Sequence, residues 1–157
     1  MHQLKRTQRL PIDPATAWEF FSSPRNLSVI TPPDMGFTVR SELPEKMYPG
    51  LFITYTVRPL LGIPMTWVTE ITHIREGAYF VDEQRVGPYR IWHHRHFFKE
   101  IPGGVEMTDI VDYQLPFGFL GKWVHALLVG PRLQHVFEFR YKKLVELFGE
   151  LKTEPRN

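Results

Sequence analysis

Two histidines and two aspartates in the middle of the chain have types and spacings suited to acid–base chemistry. His94 and His96 would share one face of a β-strand, because side chains alternate along a strand. Asp82 and Asp109 lie in the runs that flank this segment. Histidine titrates near neutral pH and a nearby carboxylate stabilises its charged form, so such pairs can donate and accept protons. These four side chains are the candidate catalytic residues.

Three consecutive antiparallel strands within residues 79–116 are predicted to position them. Gly87-Pro88 and Pro102-Gly103-Gly104 are turn signals between runs rich in β-branched and aromatic residues. If Glu100 lies opposite Val105, the register of the second hairpin follows. The predicted cross-strand pairs on one face are Phe98 with Met107, His96 with Asp109, His94 with Val111 and Trp92 with Tyr113.

The first turn would bring Asp82 and Gln84 beside His94 and Trp92 on this same face. The face therefore mixes aromatic rings with carboxylates, imidazoles and an amide. Burying a polar group without a partner costs about 1–3 kcal/mol, so an ordinary core face would be almost wholly aliphatic. We predict that this face is the wall of a cavity. The alternative is that the Asp82–His94 and His96–Asp109 pairs are satisfied internal hydrogen bonds with a structural role.

A mostly apolar pocket with a few convergent polar groups is the usual design of a small-molecule site. We expect the ligand to be an apolar or amphipathic small molecule. The residues predicted to contact it are Tyr55, Trp67, Asp82, Gln84, Trp92, His94, His96, Asp109, Tyr113, Trp123 and Leu127.

Three other functions remain open for the same residues. The protein could be a cyclase, dehydratase or isomerase whose His–Asp pairs work without a cofactor. His94, His96 and Asp109 could bind a metal, but alternate histidines on a strand are not diagnostic, so no metal and no cofactor is predicted. The chain could also act through a surface patch on a protein partner, although no residue pattern marks such a patch.

Composition limits the class of protein. The 157 residues, 43% of them hydrophobic, match one ordinary domain, which we expect to span 1–157. The 19 basic and 17 acidic residues are interspersed, which argues against a nucleic-acid partner. The absence of cysteine excludes disulfides and thiolate zinc sites and suits the cytoplasm, where we expect the protein to be. No signal peptide or transmembrane segment is readable.

The remaining elements follow from local signals. Residues 2–10 read as an edge strand, and Asp13-Pro14 and Ser23-Pro24 each open a short helix, the second reaching about Ile30. Strands are predicted at 37–43, 51–58 and 65–74. Apolar residues recur every three or four positions from 119 to 148, which indicates a long helix with a kink or break near Val129, before Gly130-Pro131. Its solvated face is predicted to carry Arg132, Arg140, Lys142 and Lys143, which leaves transient membrane contact open.

A strand, two short helices, six strands and one long helix make an α+β layout in which a curved sheet wraps the helix. The layout, with the runs FVDEQRVGPYRIWHHRHFF (80–98) and PGGVEMTDIVDYQLPFGFLG (102–121), resembles the helix-grip (SRPBCC) superfamily. This superfamily includes START lipid-transfer domains, birch-pollen allergen-like proteins and bacterial polyketide cyclase/dehydrase-like proteins. The two runs are most similar to a bacterial branch of small proteins, some of which carry a cell-division-inhibitor label.

The resemblance covers essentially the whole chain. It implies a curved seven-stranded antiparallel sheet around a long C-terminal helix, with two short helices between strands 1 and 2. It also implies a deep cavity that admits apolar or amphipathic molecules, such as lipids, quinones or polyketide-like compounds. It implies no universal catalytic residue, and a shared fold does not assign the chemistry.

Overall fold

The computed structural model describes residues 1–59, 62–116 and 125–151. Seven strands form one antiparallel sheet with the order β1-β7-β6-β5-β4-β3-β2. Strands 2 to 7 follow each other as a meander and β1 lies at an edge of the sheet, both as predicted. The neighbour of β1 is β7. The strands are β1 (His2–Leu10), β2 (Thr38–Val39), β3 (Leu51–Val57), β4 (Met65–Arg75), β5 (Tyr79–Val86), β6 (Ile91–Ile101) and β7 (Gly104–Gln114).

Short helical segments connect β1 to β2, and a long helix ends the described chain. Asp13 caps α1 (Pro14–Phe21) by accepting a hydrogen bond from the Thr16 amide at 2.9 Å. Two 3₁₀ turns follow at Pro24–Ser28 and Pro33–Met35. A π-helical turn at His125–Val129 leads directly into α2 (Gly130–Phe148). Within the described parts of the chain, no helix is long and apolar enough to cross a membrane.

The register between β6 and β7 is the predicted one. Glu100 lies opposite Val105, and each of the four pairs expected between these strands is present. Gly103, with φ of 80°, closes the turn, and Gly104 must lack a side chain because a Cβ there would lie 2.1 Å from the Leu10 carbonyl. The turn and the end of β1 thus hold the register that places the histidines on the inner face.

Two predicted elements are shorter than expected. The strand predicted at 37–43 pairs only through Thr38–Val39. Beyond it the Ser41 hydroxyl accepts the Thr54 amide at 3.1 Å, and the Arg40 and Ser41 amides both donate to Thr54 O, so the regular ladder ends there. The second short helix, expected to reach Ile30, is a 3₁₀ turn that ends at Ser28.

The predicted irregularity before Pro131 is present as the π-helical turn. Proline has no amide hydrogen and its ring crowds the preceding turn, so a regular α-helix cannot continue through it unchanged. Gly130 permits the wider turn, because a Cβ there would lie 3.1 Å from the His125 carbonyl. The predicted start of the helix at 119 falls within 117–124, outside the described residues.

Three apolar clusters fill the space between the layers. One joins Leu144 of α2 to Phe21 of α1 and Phe98 of β6, and a second packs Leu133 and Phe137 of α2 on β7. The third lies on β3 and β4, and among the described residues it contains none from α2. The sheet and the helix therefore separate on the β3–β4 side.

Candidate ligand cavity and its polar cluster

A cavity of about 190 Å³ occupies this gap between sheet and helix. Its floor comes from the inner faces of β3 to β6, and α2 with the two 3₁₀ turns forms the opposite side. Most of the lining is apolar. Representative apolar contacts come from Ile53, Trp67, Trp92, Leu133, Leu27 and Ile30.

Thr69 orders the aromatic part of the wall. Its hydroxyl oxygen lies 2.7 Å from the Tyr55 hydroxyl and accepts the Trp67 indole N–H at 3.0 Å. Trp67 in turn meets Trp92 edge to face, with ring centroids 5.3 Å apart. Burial raises the pKa of Tyr55, so its phenol remains neutral at physiological pH. Hydrogen bonds to Thr69 therefore hold two of the aromatic side chains of the wall in place.

The four candidate catalytic side chains form one buried cluster beside this wall. His96 Nε2 lies 2.8 Å from Asp82 Oδ2, and His94 Nε2 lies 3.2 Å from Asp109 Oδ1. The predicted pairs are also in contact, with His94 Nδ1 3.5 Å from Asp82 and His96 Nδ1 2.8 Å from Asp109. The last contact lies outside hydrogen-bonding geometry. Each imidazole thus contacts both carboxylates, whereas two separate His–Asp pairs would give each imidazole only one carboxylate.

Arg140 completes the cluster and corrects the sequence-based prediction. It was placed on the solvated face of the last helix, but its residue exposure is only 8%. Its Nη2 lies 3.7 Å from Asp109 Oδ1, and its Nε is buried without a hydrogen-bond partner. Arg140 stands three residues after Phe137 and four before Leu144, both buried, so helical spacing was the signal that could have found it.

The cluster balances opposing charges. Burial favours the neutral carboxylic acid, but the Arg140 guanidinium and the imidazoles hold the pKa of Asp109 well below its usual range. Burial works in the same direction on Asp82, yet the two histidines lower its pKa. Burial and the neighbouring His96 lower the pKa of His94. For His96 the two carboxylates outweigh burial and raise the pKa.

Six of the predicted ligand-contacting residues line the cavity: Tyr55, Trp67, Asp82, Trp92, His94 and His96. Asp109 lies behind the imidazoles and instead borders a smaller cavity of about 50 Å³ between β1, β7 and α2. Phe137 and Arg140 border both cavities. Asp109 therefore acts on the main cavity through its neighbours.

The other predicted contacts have different places in the structure. Gln84 donates to the Tyr89 carbonyl at 2.7 Å and accepts the Tyr89 amide, so it closes the β5–β6 turn. The Tyr113 hydroxyl lies 2.7 Å from His125 Nε2, away from the cavity lining. Leu127 is 71% exposed, and Trp123 lies outside the described residues. Tyr89 and Thr69 line the cavity although sequence reasoning did not select them as site residues.

Comparison with solved structures identifies the fold. A Mycobacterium smegmatis protein, Ms6760, superposes with a TM-score of 0.64 at 20% identity and covers 92% of each chain. Protein CV1439 from Chromobacterium violaceum gives a TM-score of 0.70 at 12% identity, over 95% of this chain and 99% of that one. Ara h 8.0201 superposes with a TM-score of 0.59 at 16% identity, over 92% of this chain and 98% of that one.

The chain has the helix-grip fold. This confirms the predicted architecture: a curved seven-stranded antiparallel sheet, short helices between strands 1 and 2, and a long C-terminal helix. No protein-family model and no curated protein sequence matches the chain. At these low identities the likeness shows the fold alone, and what the helix-grip cavity does here has to be argued from its own residues.

Proposed function

We propose that this protein binds an apolar or amphipathic small molecule, such as a lipid, quinone or polyketide-like compound, in the helix-grip cavity. The observation that carries the proposal is a mostly apolar cavity with the Asp82–His94–His96 cluster in one part of its wall. An empty apolar space forfeits dispersion contacts with its lining, so a ligand that fills it gains them. The apolar body would contact Trp67 and Trp92, and a polar end would face Asp82, His94 and His96.

The size of the cavity limits the ligand. At about 190 Å³ it exceeds the apolar cavity of about 150 Å³ that holds benzene, so it accommodates a ring-sized body. Met35 and Met47 lie in its lining, half-buried, and unbranched methionine side chains can move to admit a longer molecule. We therefore expect small cyclic compounds to bind more tightly than rigid polycyclic ones.

The proposal also covers the domain organisation, the family branch and the location of the protein. We infer a single ligand-binding domain over 1–157, membership of the bacterial branch that the sequence resembles, and a cytoplasmic location. The basic residues that remain on the outside of α2, such as Lys142, support a transient membrane contact for loading a lipid-like ligand.

Ligand binding can be tested with a pair of substitutions. Purified protein is titrated with fatty acids, quinones and aromatic compounds while tryptophan fluorescence is followed, and native mass spectrometry identifies any co-purified molecule. Ile53→Phe should abolish binding because Ile53 is 3% exposed and faces the cavity, where the ring would take the ligand's volume. Ile91→Phe is the matched control, because Ile91 is 39% exposed and outside the cavity lining.

Two results would overturn the proposal. One is the absence of saturable binding for every compound together with a protein that purifies empty. The other is binding that Ile53→Phe leaves intact, because the ligand would then lie elsewhere.

A cofactor-independent cyclase, dehydratase or isomerase is the second candidate. It is favoured by two imidazoles in the lining of one cavity, each in contact with two carboxylates, so a proton donor and a proton acceptor could face one substrate. The decisive measurement is the chemical state of the ligand after incubation. A carrier returns it unchanged, whereas an enzyme returns an isomer, a cyclised product or a dehydrated product.

A further inference from the structure

We propose that Asp82, His94 and His96 form a binding site for a divalent transition-metal ion at the cavity wall. Each offers one ligand atom, and these atoms all lie within 4.8 Å of one another. Two imidazoles and one carboxylate are donors that suit ions such as Zn²⁺ or Fe²⁺. Sequence reasoning considered Asp109 as the third ligand, but in the structure Asp82 is the carboxylate that joins this set.

The distances between the donors fit the edges of a coordination polyhedron. Asp82 Oδ2 lies 2.8 Å from His96 Nε2 and 3.5 Å from His94 Nδ1. An ion with bonds of about 2.0–2.2 Å holds adjacent ligands about 2.8–3.6 Å apart, depending on whether it is octahedral or tetrahedral. The two contacts of Asp82 therefore fit a single ion. The two ring nitrogens lie within 4.8 Å of each other, and rotation of the rings would bring this third separation into the same range.

Asp109 contacts both imidazoles from behind. The ring nitrogens that do not face Asp82, His94 Nε2 and His96 Nδ1, lie 3.2 and 2.8 Å from the same oxygen of Asp109, and only the contact with His94 has hydrogen-bonding geometry. Metal-binding histidines usually direct the free ring nitrogen to a carboxylate or carbonyl, which sets the tautomer and the orientation of the ring. Arg140 balances the charge of Asp109, so this carboxylate is held as an outer partner.

The donor atoms converge in front of Asp82. If His94 donates its Nε2–H to Asp109, its Nδ1 carries a lone pair that faces Asp82. His96 Nε2 shares a proton with Asp82 Oδ2 across 2.8 Å. A metal ion that replaces this proton would bind all three atoms at once.

The position of the site leaves room for further ligands. All three residues belong to the lining of the 190 Å³ cavity, and the three protein ligands leave at least one coordination position open towards it. An ion there would bind water or an oxygen atom of a cavity ligand. The metal site goes beyond the proposed small-molecule binding and does not depend on it, because the ion can bind to the empty cavity.

Cobalt and zinc titrations of the unmodified protein test the site. After treatment with a chelator, the protein should bind one Co²⁺ in this cluster and develop visible absorption bands. Zn²⁺ should compete for it. In long-range ¹H–¹⁵N spectra, Zn²⁺ should move the resonances of His94 Nδ1 and His96 Nε2. Those of His93, which contacts Glu83 on the outer face, should stay unchanged.

Variants provide the matched comparison. His96→Gln and Asp82→Asn should each weaken Zn²⁺ binding at least tenfold, and His93→Gln should leave it unchanged. Asp109→Asn should weaken it about 10- to 100-fold, as expected for an outer partner. If a cluster variant does not fold, the spectra of the unmodified protein still test the site, because they identify the histidine nitrogens that bind Zn²⁺.

The proposal is overturned if Zn²⁺ moves only surface histidines such as His93 and His135, or moves none. It is also overturned if a folded His96→Gln variant binds Zn²⁺ as tightly as the original protein. Fluorescence titration with cavity ligands in chelator-treated protein separates the two proposals, since small-molecule binding can persist when the metal site fails.

Discussion

Arg140 of α2 reaches across the interior to Asp109 of β7, with Nη2 and Oδ1 3.7 Å apart. Both residues are buried, and they are the charged contact that joins the C-terminal helix to the histidine cluster on the sheet. The helix therefore supplies a charge as well as apolar side chains. Asp109 in turn contacts both imidazoles, so the helix is linked to the rings through one carboxylate.

Removing Asp109 should destabilise the metal-free protein strongly. Asp109→Ala leaves the Arg140 guanidinium buried without its partner, and breaking a buried charge pair in this way costs about 3–5 kcal/mol. Chemical denaturation measures the change in the free energy of unfolding. The exposed Glu76→Ala is the control and should change it by less than about 0.5 kcal/mol.

A double-mutant cycle tests the pair itself. Arg140→Met combined with Asp109→Ala should cost less than the sum of the two single changes, because no unpaired charge remains. An Asp109→Ala protein as stable as Glu76→Ala would show that Asp109 is not paired in the interior.

Thr69→Val should loosen the aromatic wall without changing its shape. The substitution keeps the volume but leaves the Tyr55 hydroxyl and the Trp67 N–H without their buried hydrogen-bond partner. Each unsatisfied group costs about 1–3 kcal/mol, so we expect a loss of about 2–6 kcal/mol. Thr66→Val, on the exposed face of the same strand, is the matched control. Equal unfolding midpoints for the two variants would mean that Thr69 does not hold the wall.

The contacts of Asp34 with α2 should make a pH-dependent contribution to the stability of the protein. Its carboxylate accepts from Arg132 at 2.5 Å and lies 3.3 Å from His135, both on α2. The hydrogen bond from Arg132 lowers the pKa of Asp34 below its ordinary value of 3.8. A carboxyl group whose pKa is lower in the folded protein than in the unfolded chain stabilises the fold fully at pH values above the unfolded pKa. This contribution is lost as the pH falls through the folded pKa.

The difference in the free energy of unfolding between the original protein and Asp34→Asn should therefore be constant from about pH 5 to 7. It should shrink towards zero as the pH falls below about 4. Denaturation across this range measures it. Introducing Arg132→Gln should also reduce the stability difference caused by Asp34→Asn, because the hydrogen bond from Arg132 lowers the pKa of Asp34. A difference that grows on acidification would contradict the assignment.

The π-helical turn before α2 should open more readily than the helix itself. Of its residues, Leu127 and Leu128 are exposed and only Val129 is buried. We expect amides of 125–129 to exchange with solvent faster than those of 136–147, and to slow when a cavity ligand binds. Tyr113→Phe, which removes the contact with His125, should speed exchange in this segment alone.

This behaviour would make the turn a gate for ligand entry. If both segments are equally protected, and a ligand shown independently to bind changes neither, the turn only lets the helix pass Pro131. Hydrogen exchange followed by mass spectrometry distinguishes the two outcomes. The sequence predicts the same behaviour for 120–129, and residues 120–124 of this range lie outside the described chain.

Local patterns in the sequence determined the sheet and the inner face of its central strands. Alternation along β6 and β7 and the turn at Pro102-Gly103 leave one register, since a slip of one residue would turn Phe98 and Met107 to solvent. The same logic placed His94, His96 and Asp109 inside. It failed at 37–43, where the Ser41 hydroxyl competes for a ladder hydrogen bond that propensity does not reveal.

Only the tertiary structure decided which of these side chains meet. Alternation paired His96 with Asp109, but it could not show that each imidazole touches both carboxylates, because that depends on how closely the twisted strands bring the rings together. Helical spacing could have put Arg140 on the buried face, yet not opposite Asp109. The gap on the β3–β4 side likewise depends on the distance between sheet and helix. Packing across the whole domain sets that distance, and no single stretch of sequence encodes it.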